Sequence, residues 1–118
     1  MTHLPALLLL LLLATTAKAA VVTAYCPCPK CCGVMGGTGT TASGKQAVQG
    51  VTVAGPRSLP MGTKVFISGL GVFTVQDRLA ARFDNRFDVY FNSHEAARQF
   101  GRRTLAVRVL PKRKGGRA

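Results

Sequence analysis

All four acidic residues of this 118-residue chain, Asp77, Asp84, Asp88 and Glu95, fall inside one window of an otherwise basic sequence. A carboxyl group there could exchange a proton with a substrate or hold a sugar hydroxyl. Positive surroundings lower its pKa and burial raises it. Asp88 stands inside RFDVYF, residues 86–91, a strand-like run in which Asp is disfavoured by propensity. Strand periodicity puts Asp88 and Tyr90 on one face, and Phe87, Val89 and Phe91 on the other. Asp77 closes a second such run, VFTVQD at 72–77, with ten residues between it and Asp88. Asp84 precedes Asn85 and reads as a turn pair. Glu95 reads as a helix-start residue. Arg78 and Arg82 lie between the two strand aspartates, where a planar guanidinium could read a substrate carboxylate. The sequence holds no Ser/His/Asp arrangement, phosphate loop or dinucleotide fingerprint.

Cys26, Cys28, Cys31 and Cys32 form a second reactive group within seven residues. In an exported chain an even count points first to two disulfides. Avoiding the strained vicinal bond leaves either 26–31 with 28–32, or 26–32 with 28–31. The alternative is a Zn²⁺ ion, because Cys28 and Cys31 form C-x-x-C. Tetrahedral zinc sites usually draw ligands from two separated segments, and Pro27 and Pro29 stiffen this one, so disulfides are the preferred reading. His94, at a helix start, reads as a surface residue.

These residues need elements to position them. Strands are expected at 21–25 (VVTAY), 51–54, 63–68 (TKVFIS), 72–77, 86–91 and 104–110 (TLAVRVL). Gly69-Leu70-Gly71 makes a hairpin of the third and fourth. The stretch 35–50, rich in Gly, Thr and Ser, reads as a loop. One helix is expected after Asn92, with Asn92 as its cap, Glu95 completing a capping box and Gly101 as its stop. The tail 111–118 (PKRKGGRA) has almost nothing to bury and reads as disordered. Short strands with Gly/Pro turns indicate a sandwich or a small closed barrel.

Seven consecutive leucines, Leu7 to Leu13, precede a small-residue stretch in which Ala17-Lys18-Ala19 fits a cleavage pattern. Residues 1–19 therefore read as a signal peptide. The apolar run is far shorter than the roughly 20 residues a membrane-spanning helix needs, so no transmembrane anchor is expected. Tyr25 before Cys26 argues against lipidation. What remains, 20–118, suffices for one core. The chain carries a net charge of +12, of which cleavage removes only Lys18. That balance favours anionic partners, and export sets nucleic acid aside in favour of cell-wall polymers or lipid headgroups. The expected location is the periplasm or the extracellular side of the envelope.

The segments VAGPRSLPMGTKVFI, GLGVFTVQD, RFDVYF and SHEAARQFGRRTLAVRVL resemble the three-aspartate (3D) domain. That family is a double-psi β-barrel related to the catalytic barrel of membrane-bound lytic transglycosylase A. Upstream, TAYCPCPKCCG and TASG look like the leader of such domains in exported bacterial proteins. The resemblance implies a six-stranded double-psi barrel with one short helix over 51–110, following the Cys-rich segment and loop at 20–50. It further implies a peptidoglycan lytic transglycosylase without a cofactor, with Asp88 as acid/base and Asp77 as auxiliary carboxylate. In that chemistry one carboxylic acid protonates the leaving oxygen, and its carboxylate then takes the proton of the same sugar's 6-hydroxyl, giving a 1,6-anhydro product. An ordinary glycosidase needs two carboxylates at a defined separation, which a chain so poor in acids supplies less readily. Tyr90, Arg78 and Arg82 are the expected substrate contacts. The chain departs from the family pattern at Gly55, where the first aspartate belongs, and at 78–85 (RLAARFDN), which replaces a glycine-rich stretch. Two further readings follow: a non-catalytic module binding peptidoglycan or another wall polymer, and a periplasmic protein built around the Cys cluster.

Overall fold

The computed structural model describes residues 16–28 and 40–112. Its six strands are β1 (Ala17–Tyr25), β2 (Thr52–Ala54), β3 (Lys64–Ile67), β4 (Gly71–Asp77), β5 (Phe87–Tyr90) and β6 (Arg103–Val109). Among the described residues one α-helix, α1 (His94–Phe100), joins β5 to β6, and a 3₁₀ turn at Ala81–Phe83 lies between β4 and β5. The strands close into a barrel in the order β1-β5-β2-β4-β3-β6. This is the expected small β-barrel with one helix.

Two of the pairings are parallel, β1 with β5 and β2 with β4. The other four are antiparallel. Among the described residues, closure leaves no open sheet edge for another chain to pair with. The β3–β4 hairpin turns through Gly69 and Gly71, both at positive φ (83° and 112°), which side chains with a Cβ rarely adopt. Alternate residues fill the interior: Val22, Val53, Val65, Ile67, Val75 and Val89 are buried, with Phe73, Phe87, Phe100 and Val107 packed among them.

The expected strand at 21–25 begins earlier, at Ala17. Ala17, Lys18 and Ala19 pair with Arg108, Val107 and Ala106 of β6. A cut after Ala19 removes these three exposed residues and keeps the pairs Ala20–Leu105, Val21–Thr104 and Val22–Arg103. Residues 1–15 of the expected leader, the expected tail from residue 113, and Cys31 and Cys32 lie outside the described residues.

The helix corrects one expectation. Its cap is Ser93, whose hydroxyl accepts from the Ala96 N–H at 2.9 Å, and Asn92 lies one residue outside. Glu95 therefore sits one position short of closing a capping box. It bonds Arg98 and Gln99 on the exposed face instead. Gly101, at φ 69°, ends the helix as expected. Phe100 anchors α1 in the core and Arg103 stacks on its ring at 4.1 Å.

Ile67 is fully buried and its strand pairs on both sides, with Gly71 of β4 and Val107 of β6. Ile67→Ala is expected to cost about 2–5 kcal/mol, read as a lower urea midpoint with an unchanged slope.

Candidate active site

The two strand aspartates meet through β2. Ala54 pairs with Asp88 on one side and Asp77 on the other. A register shift between Val53 and Ala54 makes this alignment: Val53 faces Val75, yet the next residue faces Asp77 rather than Gln76. Such an irregularity re-aims a side chain at the end of a ladder. In the sequence ten residues separate the two aspartates, and the barrel makes them neighbours across a single residue.

Asp88 keeps the facing expected of it. Its neighbours Phe87 and Val89 enter the core, while Asp88 is half-buried on the face it shares with Tyr90. Thr23 of β1, directly opposite in the parallel pair, donates its hydroxyl to Asp88 Oδ1 at 2.9 Å. Burial pushes the Asp88 carboxyl up to about 6, and the charge of Asp77 adds to this. The Thr23 hydrogen bond and Arg86 act against the rise without cancelling it. A carboxylic acid in this range holds its proton into mildly acidic solution and can release it near neutrality.

Asp77 has a different environment. Tyr25 donates its hydroxyl to Oδ2 at 2.8 Å, and the backbone N–H groups of Ala42 and Arg78 both donate to Oδ1 at 2.9 Å. The Ala42 donor belongs to the TASG turn. That turn is held by Thr41, whose N–H and hydroxyl both bond the Lys45 carbonyl, and by Ser43 N–H bonding the Gln76 carbonyl. The leader-like segment is thus a fitted wall of the site. With three protein donors on its two oxygens, Asp77 is built to orient its surroundings.

Thr23 and Tyr25 were not among the candidates from sequence. The signal for them was there: in VVTAY they alternate with Val22 and Ala24, so they share the polar face of β1. What the sequence could not show is that β1 lies parallel beside β5, which sets Thr23 against Asp88 and Tyr25 against Tyr90. Tyr90 is buried, and its ring meets that of Tyr25 edge-on at 5.4 Å between centroids.

The arginines divide. Arg78 Nη1 donates to the carbonyls of Gly55 and Pro56 at 3.2 and 2.7 Å, so it braces the turn after β2. Arg82 is exposed and lies over the Phe83 ring at 4.6 Å. Asp84 does more than shape a turn: it accepts from the N–H and the guanidinium of Arg57 at 2.9 and 3.1 Å. This exposed pair ties the turn after β2 to the 3₁₀ turn.

Gly55, standing where the family pattern has its first aspartate, is buried. A Cβ there would meet Val75 Cγ2 and Cγ1 at 3.2 and 3.3 Å and Phe87 Cε2 at 3.6 Å. An added carboxylate would have to displace apolar neighbours. The Cys-rich segment also departs from expectation at one point. His94, read as a surface residue, is partly buried and points Nδ1 at Cys28 Sγ (3.3 Å) and Cys26 Sγ (3.6 Å).

Two outcomes check this geometry. Folded Asp88, with its raised pKa, binds a proton more tightly than the unfolded chain does. Its favourable contribution is complete below the unfolded value near 3.8 and is lost as pH rises through about 6. Asp88→Asn escapes that loss. Its stability relative to wild type is expected to improve by about 1–3 kcal/mol between pH 3.5 and pH 7.5, measured by urea unfolding at both. Gly55→Asp is expected to lose about 1–3 kcal/mol through crowding against Val75, seen as a lower thermal midpoint.

Comparison with known proteins places this geometry in a family. A family model described as the 3D domain matches residues 51–111. The chain is 28% identical over 96 residues to "Putative cell wall shaping protein YabE" of Bacillus subtilis (strain 168), covering 80% of this chain and 24% of that protein. It is 34% identical over 77 residues to "Cell wall-binding protein YocH" of the same organism, covering 62% of this chain and 27% of that protein. The chain thus spans about a quarter of the length of these curated relatives. With more than half its residues matched, including both strands that carry Asp77 and Asp88, the chain belongs to the 3D domain family.

Proposed function

We propose that this is an exported cell-wall protein whose barrel cleaves peptidoglycan glycan strands to 1,6-anhydro products, with Asp88 as the single acid and base. The observation that carries this reading is the Asp88 carboxyl, half-buried and raised to about 6 beside a second carboxylate. The wall association rests on family membership and on the names of the two relatives. The positive charge of the chain suits an anionic polymer.

The step balances without water. Asp88 gives its proton to the glycosidic oxygen as the bond from that oxygen to the anomeric carbon breaks. The sugar's own 6-hydroxyl oxygen then bonds the anomeric carbon, and its proton passes to the Asp88 carboxylate, which returns to its starting state. Thr23 holds the carboxyl through Oδ1, leaving Oδ2 to face the substrate. Asp77, locked by Tyr25, Ala42 and Arg78, contributes negative charge that keeps the proton on Asp88 and offsets the developing positive charge at the anomeric carbon. Arg82, exposed on the 3₁₀ turn, is the guanidinium available to a substrate carboxylate, since Arg78 is bonded to the turn carbonyls.

A second reading is favoured by Gly55. With no first aspartate, and Val75 and Phe87 closed over that position, the groove binds glycan without cutting it. The relative named as a cell wall-binding protein agrees with that reading.

Digestion of purified sacculi, with products read by mass spectrometry, separates the two. Wild type is expected to release anhydro-muropeptides at a rate that falls tenfold per pH unit above about pH 6, as the acid form is lost. Asp88→Asn is expected to lose at least about 100-fold in rate while still co-sedimenting with sacculi. Binding by both proteins with no products from either would establish the binding module.

A further inference from the structure

The segment after β1 and the start of α1 bring three soft donors to one point. Cys26 Sγ and Cys28 Sγ are 3.0 Å apart, and His94 Nδ1 lies 3.6 and 3.3 Å from them. We propose that Cys26, Cys28 and His94 bind a zinc ion, which fastens the end of β1 to the first turn of α1.

Several observations support this assignment. A disulfide holds its sulfurs at about 2.05 Å, so Cys26 and Cys28, 3.0 Å apart, are not bonded to each other and present two separate sulfur donors. Two thiolates and an imidazole are a donor set for zinc, and a poor one for magnesium or calcium, which take oxygen ligands. With bonds of about 2.3 Å to sulfur and 2.0 Å to nitrogen, a tetrahedral ion separates its donors by about 3.5–3.8 Å. Two of the observed separations, 3.0 and 3.3 Å, fall short of those values and the third, 3.6 Å, lies within them, so each donor shifts by less than about 1 Å to admit the ion. The donors also come from two segments, 66 and 68 residues apart. That meets the requirement which the Cys-rich segment, taken alone, failed.

Binding balances by proton release. Zn²⁺ displaces the protons of two thiols and accepts a lone pair from the neutral imidazole, so two protons leave and the site carries no net charge. The consequence for the fold is direct. Cys26 is wholly buried and follows Tyr25, whose hydroxyl holds Asp77. His94 is the first residue of α1, just after β5 with its Asp88. The clamp thus holds both strand ends that position the carboxyl pair, while neither carboxylate is one of its ligands. It stands apart from the glycan reading and holds whether or not the barrel cuts.

The test uses the purified chain, reduced under anaerobic conditions, loaded with ZnCl₂ and passed over a desalting column. About one zinc per chain is expected by elemental analysis. His94→Ala and Cys28→Ser, at partly exposed positions, are each expected to weaken zinc binding at least about tenfold in competition with a chromophoric chelator. Their folded state is checked by circular dichroism. Cobalt(II) in place of zinc is expected to give thiolate charge-transfer bands in the wild type that weaken in Cys28→Ser. Failure of the wild type to retain zinc would overturn the proposal. So would zinc retention unchanged in the His94→Ala variant. A disulfide that includes Cys26 or Cys28 in the chain purified without reductant, found by peptide mass mapping, would also overturn it.

Discussion

The double pairing of β1 is the constraint on which the rest of this barrel depends. Its first half pairs antiparallel with β6 and its second half parallel with β5. One nine-residue strand thus joins the last strand of the chain to the strand that carries Asp88. Without it the β5-β2-β4-β3-β6 order is an open sheet with two bare edges. Its polar face would also be lost, and with it Thr23 against Asp88 and Tyr25 against Asp77. Val22 on the other face is fully buried in the core, so one alternation of side chains serves closure, packing and site together.

Two carboxyls of the same kind have different environments in this barrel. Asp88 lies inside a strand, half-buried, with one hydroxyl donor, so desolvation dominates and the proton is held more tightly. Asp77 lies at a strand end, where the TASG turn and the next residue can offer backbone N–H groups. Each environment follows from position on the barrel. A strand interior has its amides committed to the ladder, while a strand end has turn amides to spare. Separation of roles through environment is the general route by which paired acids do acid–base chemistry.

The departures from the family pattern form a connected unit. Where an aspartate belongs, Gly55 lets Val75 and Phe87 close to van der Waals contact. Arg78, first residue of the rebuilt stretch, bonds the carbonyls of Gly55 and Pro56. Asp84, later in that stretch, bonds Arg57 two residues beyond Gly55. The loop that replaced a glycine-rich segment thus supplies the groups that hold the turn lacking its acid. At this corner of the barrel a guanidinium, that of Arg78, braces the turn.

The sequence by itself determined the elements and the candidates. Short apolar and β-branched runs, with alternation in 86–91 and 104–110, marked the six strands, the Gly69–Gly71 turn marked the hairpin, and Asp88 inside an apolar run marked itself as a residue needing a reason. These are local signals, carried by neighbours two to four residues apart. The helix cap shows the limit of local rules, since Asn92 and Ser93 both satisfy them and only backbone geometry chose Ser93. The tertiary structure decided everything that depends on parallel pairing. Parallel strands are joined by long crossovers, and no short-range pattern encodes which strand will lie beside which. That is why Thr23 meets Asp88 across 65 residues, Tyr25 meets Asp77 across 52, and His94 reaches Cys28 across 66. Closure of the ring brought these partners together, which no run of neighbouring residues can specify.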